Sequence, residues 1–242
     1  MKNILVADSC AGGISVLCEI MKHTPAFRLM YLADGERNPF GLRTRSQIQE
    51  IVEDWLRCFA GRGRRLDALV VACNTAAAAV EPIRRKLSGK WRVPLITMLD
   101  GLVTCIEENG SVVNGCPVSL FGTQFTVESG DYDRVLVCAG TTRVHHIIGT
   151  KTEKLVACGL WDSSSAVDAA RDEIMSQIDP EVRTVVLGCT CLSLIKPMLK
   201  NTFGPRVVLL DPSEYVARAV MAFAQSPRPR TFNHCLLYTS DA

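Results

Sequence analysis

One alternation constrains this chain more than any other feature. Short apolar runs rich in β-branched residues recur along it, and a helical pattern follows almost every one. The runs predict strands over residues 3–7, 28–33, 68–72, 94–98, 118–122, 184–188 and 206–210, with weaker candidates at 134–138 and 154–157. Helices are predicted over 14–21, 45–60, 75–87, 99–109, 164–178, 192–201 and 213–224. The clearest is 45–60, where Ile48, Ile51, Val52, Trp55, Leu56 and Phe59 share one face. Ser163, Ser164 or Ser165 is placed to cap the helix that carries Val167. Continuous apolar strands separated by helices mean an α/β fold, with a parallel sheet covered on both faces. In such sheets ligands sit beyond the carboxyl ends of the strands, so the residues ending each strand matter most for function.

Those ends repeat. The first strand runs into Asp8-Ser9-Cys10-Ala11-Gly12-Gly13, and the third into Ala72-Cys73-Asn74-Thr75. Later strands run into Phe121-Gly122-Thr123 and Gly188-Cys189-Thr190. Each half thus has one strand ending in a small polar loop and one ending in a small residue, Cys and then Thr. Two such α/β units facing one another would bring Cys73 and Cys189 into one cleft from opposite sides. A thiol at a strand-to-helix junction lies near backbone N–H groups, a setting expected to lower its pKa from about 8.5 toward neutrality. Two thiols flanking a small substrate suit inversion of a stereocentre: one takes a proton from carbon and the other returns one on the far face. Ser9, Asn74, Thr75, Thr123 and Thr190 offer uncharged hydrogen bonds to an amino-acid ligand. The Gly12-Gly13 turn lets backbone come close to it.

Composition narrows the class. The chain of 242 residues is 48% hydrophobic and 21% charged, which excludes a wholly disordered protein. A net charge of +2 gives no electrostatic footprint for nucleic acid or a membrane surface; the short basic run at Arg62, Arg64 and Arg65 reads as a solvated loop. The N-terminus is neither a signal peptide nor an anchor, and no apolar stretch reaches about 18 residues, so a cytoplasmic location is expected. There are eleven cysteines, an odd number, and a reducing compartment would keep them free. Cys18, Cys58, Cys105, Cys116, Cys138 and Cys158 read as packing residues.

The ordered motifs resemble the glutamate racemases of the aspartate/glutamate racemase superfamily. Residues 8–13 resemble that family's Asp-Ser-Gly-x-Gly-Gly opening loop. Asn38-Pro39-Phe40-Gly41 resembles its Pro-Tyr-Gly substrate loop, and Gly122-Thr123 with Thr126, Ser129 and Tyr132 its Gly-Thr-x-x-Thr segment. Ala72-Cys73-Asn74-Thr75-Ala76 and Gly188-Cys189-Thr190 match the two catalytic motifs. Val93-Pro94-Leu95-Ile96 and Asp211-Pro212-Ser213 resemble the crossings between domains. The resemblance implies two pseudo-symmetric Rossmann-like domains with the active site in the cleft between them. Residues 1–98 with 209–234 would form the first and 99–208 the second. It implies cofactor-independent interconversion of L- and D-glutamate, supplying D-glutamate for peptidoglycan. No metal is expected, and the partner is an acidic amino acid; a homodimer is compatible with it. By the same resemblance Cys73 acts on the D-enantiomer, Cys189 acts on the L-enantiomer and Asp8 assists Cys73. Ser9, Pro39, Phe40, Gly41, Asn74, Thr75, Thr123 and Thr190 would bind substrate.

Two residues depart from the pattern. Cys191 stands where the family has a His that supports the second cysteine, and Cys10 stands where Gly is common. A thiol is a weak donor, so Cys189 is expected to be the poorer base, ionising at higher pH than Cys73, unless His145 or His146 takes over. Cys10 is expected to cost backbone freedom. Alternatives are an aspartate or other amino-acid racemase, a weakened binding protein on the same scaffold, or a metal or redox protein using Cys189-x-Cys191 with His145 and His146. Thr231-Phe232 resembles the start of a last strand. Residues 235–242 resemble a translated sequencing adapter, a tail expected to be non-native.

Overall fold

The computed structural model describes residues 1–23, 27–60 and 65–225. Arg62, Arg64, Thr231, Phe232 and the tail 235–242 lie outside them. The strands form two four-stranded parallel sheets. In the first, β1 (Lys2–Asp8) lies between β2 (Phe27–Ala33) and β3 (Ala68–Val71), with β4 (Leu95–Thr97) outside β3. In the second, β5 (Pro117–Gly122) lies between β6 (Arg143–Ile148) and β7 (Thr184–Gly188), with β8 (Val208–Leu210) outside β7. The strand order is the same in both. In each the chain reverses its direction of growth between the two central strands, and the crevice for a ligand opens at that point.

The helices in chain order are α1 (Ile14–His23), α2 (Arg45–Ala60), α3 (Asn74–Val80), α4 (Arg84–Trp91), α5 (Met98–Asn109) and α6 (Gln124–Glu128). They continue as α7 (Asp131–Cys138), α8 (Thr150–Ala157), α9 (Ser164–Gln177), α10 (Thr190–Leu194), α11 (Lys196–Phe203) and α12 (Ser213–Gln225). The apolar stripe of α2 is buried from Ile48 to Leu56, and Trp55 lies stacked on Phe40 with ring centroids 6.0 Å apart. Burying each such side chain stabilises the fold by about 1.5–3 kcal/mol. Ser163 caps α9, accepting from the Ala166 N–H. Late in the chain, α12 returns to the first sheet, adding Val216, Ala217, Ala219 and Val220 to its core.

Several sequence expectations need correcting. Residues 134–138 and 154–157 are helical, within α7 and α8, not strands. In α7 the buried positions Tyr132, Val135 and Leu136 fall at helical spacing. The strand that fills this place, β6, reads Arg-Val-His-His-Ile-Ile; it is an edge strand in which only Ile147 is fully buried, so it lacks an apolar run. The helix expected over 75–87 breaks at Glu81–Ile83, where Pro82 cannot donate to the preceding turn. The one expected over 192–201 divides into α10 and α11, with Pro197 in the first turn of α11. Cys18, Cys58 and Cys138 are exposed on helices and Cys158 is exposed just after α8; of the six cysteines assigned to packing, Cys105 is buried and Cys116 intermediate.

Candidate active site

The carboxyl ends of β1 and β3 face those of β5 and β7 across a narrow cavity. Its volume is ≈ 10 Å³, space for about one water. Ser9, Cys10, Phe40, Gly41, Cys73, Asn74, Thr75, Thr123, Glu153, Cys189, Thr190 and Cys191 line it. Cys73 precedes α3 and Cys189 precedes α10, so each thiol is set by a strand end in a different sheet. Asp8 is fully buried behind Ser9. Its Oδ1 accepts from the Ser9 N–H at 2.6 Å, and its Oδ2 accepts from the Gly13 N–H and, at 3.0 Å, from the Thr190 hydroxyl. A carboxylate of the first unit is thus tied to a hydroxyl of the second. The Ser9 Oγ lies 3.5 Å from the Cys73 Sγ.

A hydroxyl cluster and an amide contact join the units further. Thr75 and Thr123 meet at 2.9 Å between their Oγ1 atoms, and both lie within reach of Thr126. The Asn74 Nδ2 donates to the Leu187 carbonyl at 3.5 Å, whereas the buried Asn74 Oδ1 has no partner. Gly41 packs against Thr123; a Cβ there would lie 3.4 Å from the Thr123 Cβ. Pro39 does not join the others: it is exposed and flanks the turn that carries Phe40. His145 and His146 are also elsewhere. The His145 ring meets the Gln177 carbonyl, and His146 meets Asp133 at 2.9 Å, so neither stands beside Cys189. Among the described residues no group of three or more His, Cys, Asp or Glu side chains is placed to hold a metal.

Burial decides the electrostatics, against one expectation. Desolvation, with the negative charge of Asp8, holds the Cys73 thiol well above its ordinary value. Cys189 is also raised: the Cys191 side chain pulls it down, but burial and the charge of Glu153 push it up by more. The strand-end setting therefore does not lower either thiol here. Cys191 bears on Cys189, and the charge of Asp8 bears on Cys73. Desolvation also pushes Asp8 up to about 6, against the pull of its hydrogen bonds from Ser9, Thr190, Cys73 and Gly13. Cys10 is extended, with φ −151, and needs no glycine freedom.

Glu153 is the residue missed by sequence reasoning. Burial and the charge of Asp8 push it up to about 7. It sits on α8 beside a segment whose apolar run resembled a strand; with the helix unrecognised, nothing aimed this side chain at the cleft. The contact between Cys10 and Cys191, 3.4 Å between sulfurs, was equally invisible, since the two lie far apart in the chain.

Two parallel sheets of matching strand order, each contributing a thiol to the lining of one cavity, define an α/β protein of two repeated units. The chain matches the family model Asp/Glu/Hydantoin racemase over residues 18–220, and it belongs to that family. It is 30% identical over 220 residues to a glutamate racemase of Listeria innocua, covering 89% of this chain and 78% of that protein. A glutamate racemase isoform from Bacillus anthracis superposes with a TM-score of 0.78 at 26% identity, covering 93% of this chain and 82% of that one. The glutamate racemase from Thermus thermophilus, solved in complex with beta-chloro-D-alanine, superposes at TM-score 0.74 and 28% identity, covering 95% and 84%.

Proposed function

We propose that this chain is a glutamate racemase that works by two-thiol acid–base catalysis without a cofactor. The observation that carries the reading is the placement of Cys73 and Cys189, at strand ends of different sheets, on one cavity. One sulfur, as thiolate, takes the α-proton, so a C–H bond breaks and an S–H bond forms. The opposite thiol then delivers its own proton to the other face of the carbanion. Cys73 works on the D-enantiomer and Cys189 on the L-enantiomer.

Asp8 assists Cys73. Its carboxylate, near pKa 6, is hydrogen-bonded with that thiol and takes up its proton as the thiolate forms. A proton moving between these two neighbours leaves one negative charge in the pocket where two would repel. The partnerless Asn74 Oδ1 is a buried acceptor suited to an α-ammonium group. Ser9, Thr75, Thr123 and Thr190 supply hydroxyls for the carboxylates, and Phe40 with Gly41 closes the wall. Pro39 acts through the turn that sets Phe40.

The units that meet at the cleft are 1–98 with the returning segment after 209, and 99–208. The product suits peptidoglycan synthesis, carried out in the cytoplasm. No described helix is long and apolar enough to cross a membrane.

The test is incubation with L- or D-glutamate, or aspartate, in D2O without added cofactor, following optical rotation and α-deuteration. Glutamate should racemise with solvent deuterium in the product. Cys73→Ala and Cys189→Ala should each lose racemisation by at least about 1,000-fold, since inversion needs both faces served. Near wild-type turnover in either variant would refute the two-thiol mechanism, and faster turnover of aspartate would reassign the substrate.

A further inference from the structure

Helix α3 is short, and what it presents to the cleft stands at its start: Cys73 is its N-cap residue, and Asn74 and Thr75 open its first turn. Toward its other end the sequence places a defect. A continuing helix would satisfy the Ala78 carbonyl with the N–H of residue 82, but residue 82 is a proline and has none. Side chains of α2 take up the carbonyls left there. Arg45, the first residue of α2, donates from Nη1 to the Ala78 carbonyl at 2.5 Å. Gln49, one turn further on, donates from Nε2 to the Ala79 carbonyl at 2.8 Å.

Arg45 also reaches the other half of the molecule. Its Nη2 donates to the Asp131 Oδ2 at 3.3 Å, and its guanidinium lies over the Phe125 ring, 5.6 Å from the centroid. Asp131 opens α7 and Phe125 belongs to α6; both helices pack on the second sheet. One planar group thus joins α2, the end of α3 and two helices of the other sheet. A guanidinium suits this task, because its donors leave a rigid plane in fixed directions and its charge is permanent. The Asp131 side chain is 2% exposed and also pairs with Arg134, so the anchor is held from a second side. At the start of α3, the Thr75 Oγ1 meets Thr123 at 2.9 Å and Thr126 at 3.2 Å. That contact alone is a pivot, and the tie at the far end decides the tilt of the helix.

We propose that Arg45 is a positioning residue for Cys73: by tying the carbonyl end of α3 to Asp131 on α7, it fixes the tilt of that helix and with it the place of the thiol at the helix start. The inference rests on the role given to Cys73 above. The connection is short and stiff. The seven residues of α3 span about 10 Å in α-helical geometry, so a shift at one end is carried to the other with little loss. A misplacement near 1 Å at the reacting atoms lowers turnover by about 100-fold, and a partial tilt lowers it by less. Arg45 does not line the cavity, so its influence on the rate runs through α3.

The experiment measures deuterium isotope effects with α-deuterated D- and L-glutamate, beside iodoacetamide alkylation of Cys73 and Cys189 located by fragment mass spectrometry. Arg45→Ala should lower kcat by about tenfold, with KM within about twofold. Slower transfer at Cys73 should raise the isotope effect on kcat/KM for D-glutamate and lower it for L-glutamate, because the carbanion formed at Cys189 then returns more often than it passes on. A general loosening of the site would move the two together. Alkylation of Cys73 relative to Cys189 should change by at least about threefold. Pro82→Ala restores the missing N–H; added to Arg45→Ala it should recover thermal stability but not kcat, since the tie to α7 stays broken. Isotope effects in Arg45→Ala that match wild type or move together would overturn the proposal, as would recovery of kcat in the double variant. Asp131→Asn weakens the same tie from the other side and should show the same opposed pattern at smaller size; it decides if Arg45→Ala does not fold. A wild type that leaves glutamate unchanged, with the alkylation ratio still shifted in Arg45→Ala, would refute the racemase reading and leave the positioning role standing; an unshifted ratio would overturn both.

Discussion

At the scale of single residues, the cleft gathers acidic groups that burial makes hard to ionise. Asp8, Cys73, Cys189 and Glu153 are all displaced upward, and desolvation contributes in each. A closed pocket of this kind holds its protons until a substrate changes the local charge, which suits groups that must both take and return them. Glu153 carries a consequence for stability. Its ordinary value is 4.5 and it is pushed up to about 7. A carboxyl raised by folding contributes stability that is fully present below the unfolded value and is lost as pH rises through the folded value. Thermal stability should therefore fall between about pH 4.5 and 7. Glu153→Gln should flatten that decline and exceed wild type at pH 8 by about 1–2 kcal/mol, a figure discounted for solvent screening. Parallel melting-temperature curves for the two proteins across this range would count against the burial of that charge.

At the scale of elements, a buried ion pair ties three of them together. Asp100, in the first turn of α5, accepts from the Thr97 N–H at 2.8 Å and so caps the helix that leaves β4. The same carboxylate receives both terminal nitrogens of Arg84 from α4, one at 2.9 Å, and Arg84 also donates to the Leu95 carbonyl of β4. Removing the carboxylate loses a cap and leaves the largely buried guanidinium with only Glu81, at 3.5 Å, and the Leu95 carbonyl. Asp100→Ala should cost about 2–4 kcal/mol, read as a lower urea midpoint with unchanged slope. A loss below about 0.5 kcal/mol would mean that Arg84 finds water or another partner. Element identity itself was legible wherever a helix had a full apolar stripe, as in α2, or a strand was buried on both faces, as in β1, β3 and β7. It failed at the edge strand β6 and at α8, where half-exposed positions blur the period that separates strand from helix.

At the scale of the whole molecule, the two halves meet through contacts with almost no slack. Gly12, from the first unit, faces Thr190 and Cys191 of the second at a distance that excludes a methyl group. Gly12→Ala should wedge the units apart and displace the thiols from one another. Turnover should fall by at least about 100-fold, the scale expected for a misplacement near 1 Å. Far-UV circular dichroism should stay native, since each sheet keeps its own core. Activity near wild type would show that the interface yields without moving the site. The cavity between the units has room for about one water.

The amino-acid order by itself determined the α/β class, the two central strand ends in each half and the thiols that follow β3 and β7. These rest on local patterns: apolar runs of strand length, small residues at turns and a repeated Cys-Thr junction. Tertiary structure alone decided which residues touch. It brought Glu153 into the cleft, set Cys10 against Cys191, tied Thr190 to Asp8, and turned His145, His146 and Pro39 away. It also raised both thiols, where the strand-end setting was expected to lower them. The reason is physical: a pKa in a closed cleft depends on burial and on charges contributed by distant segments, and neither quantity exists until the two sheets face each other.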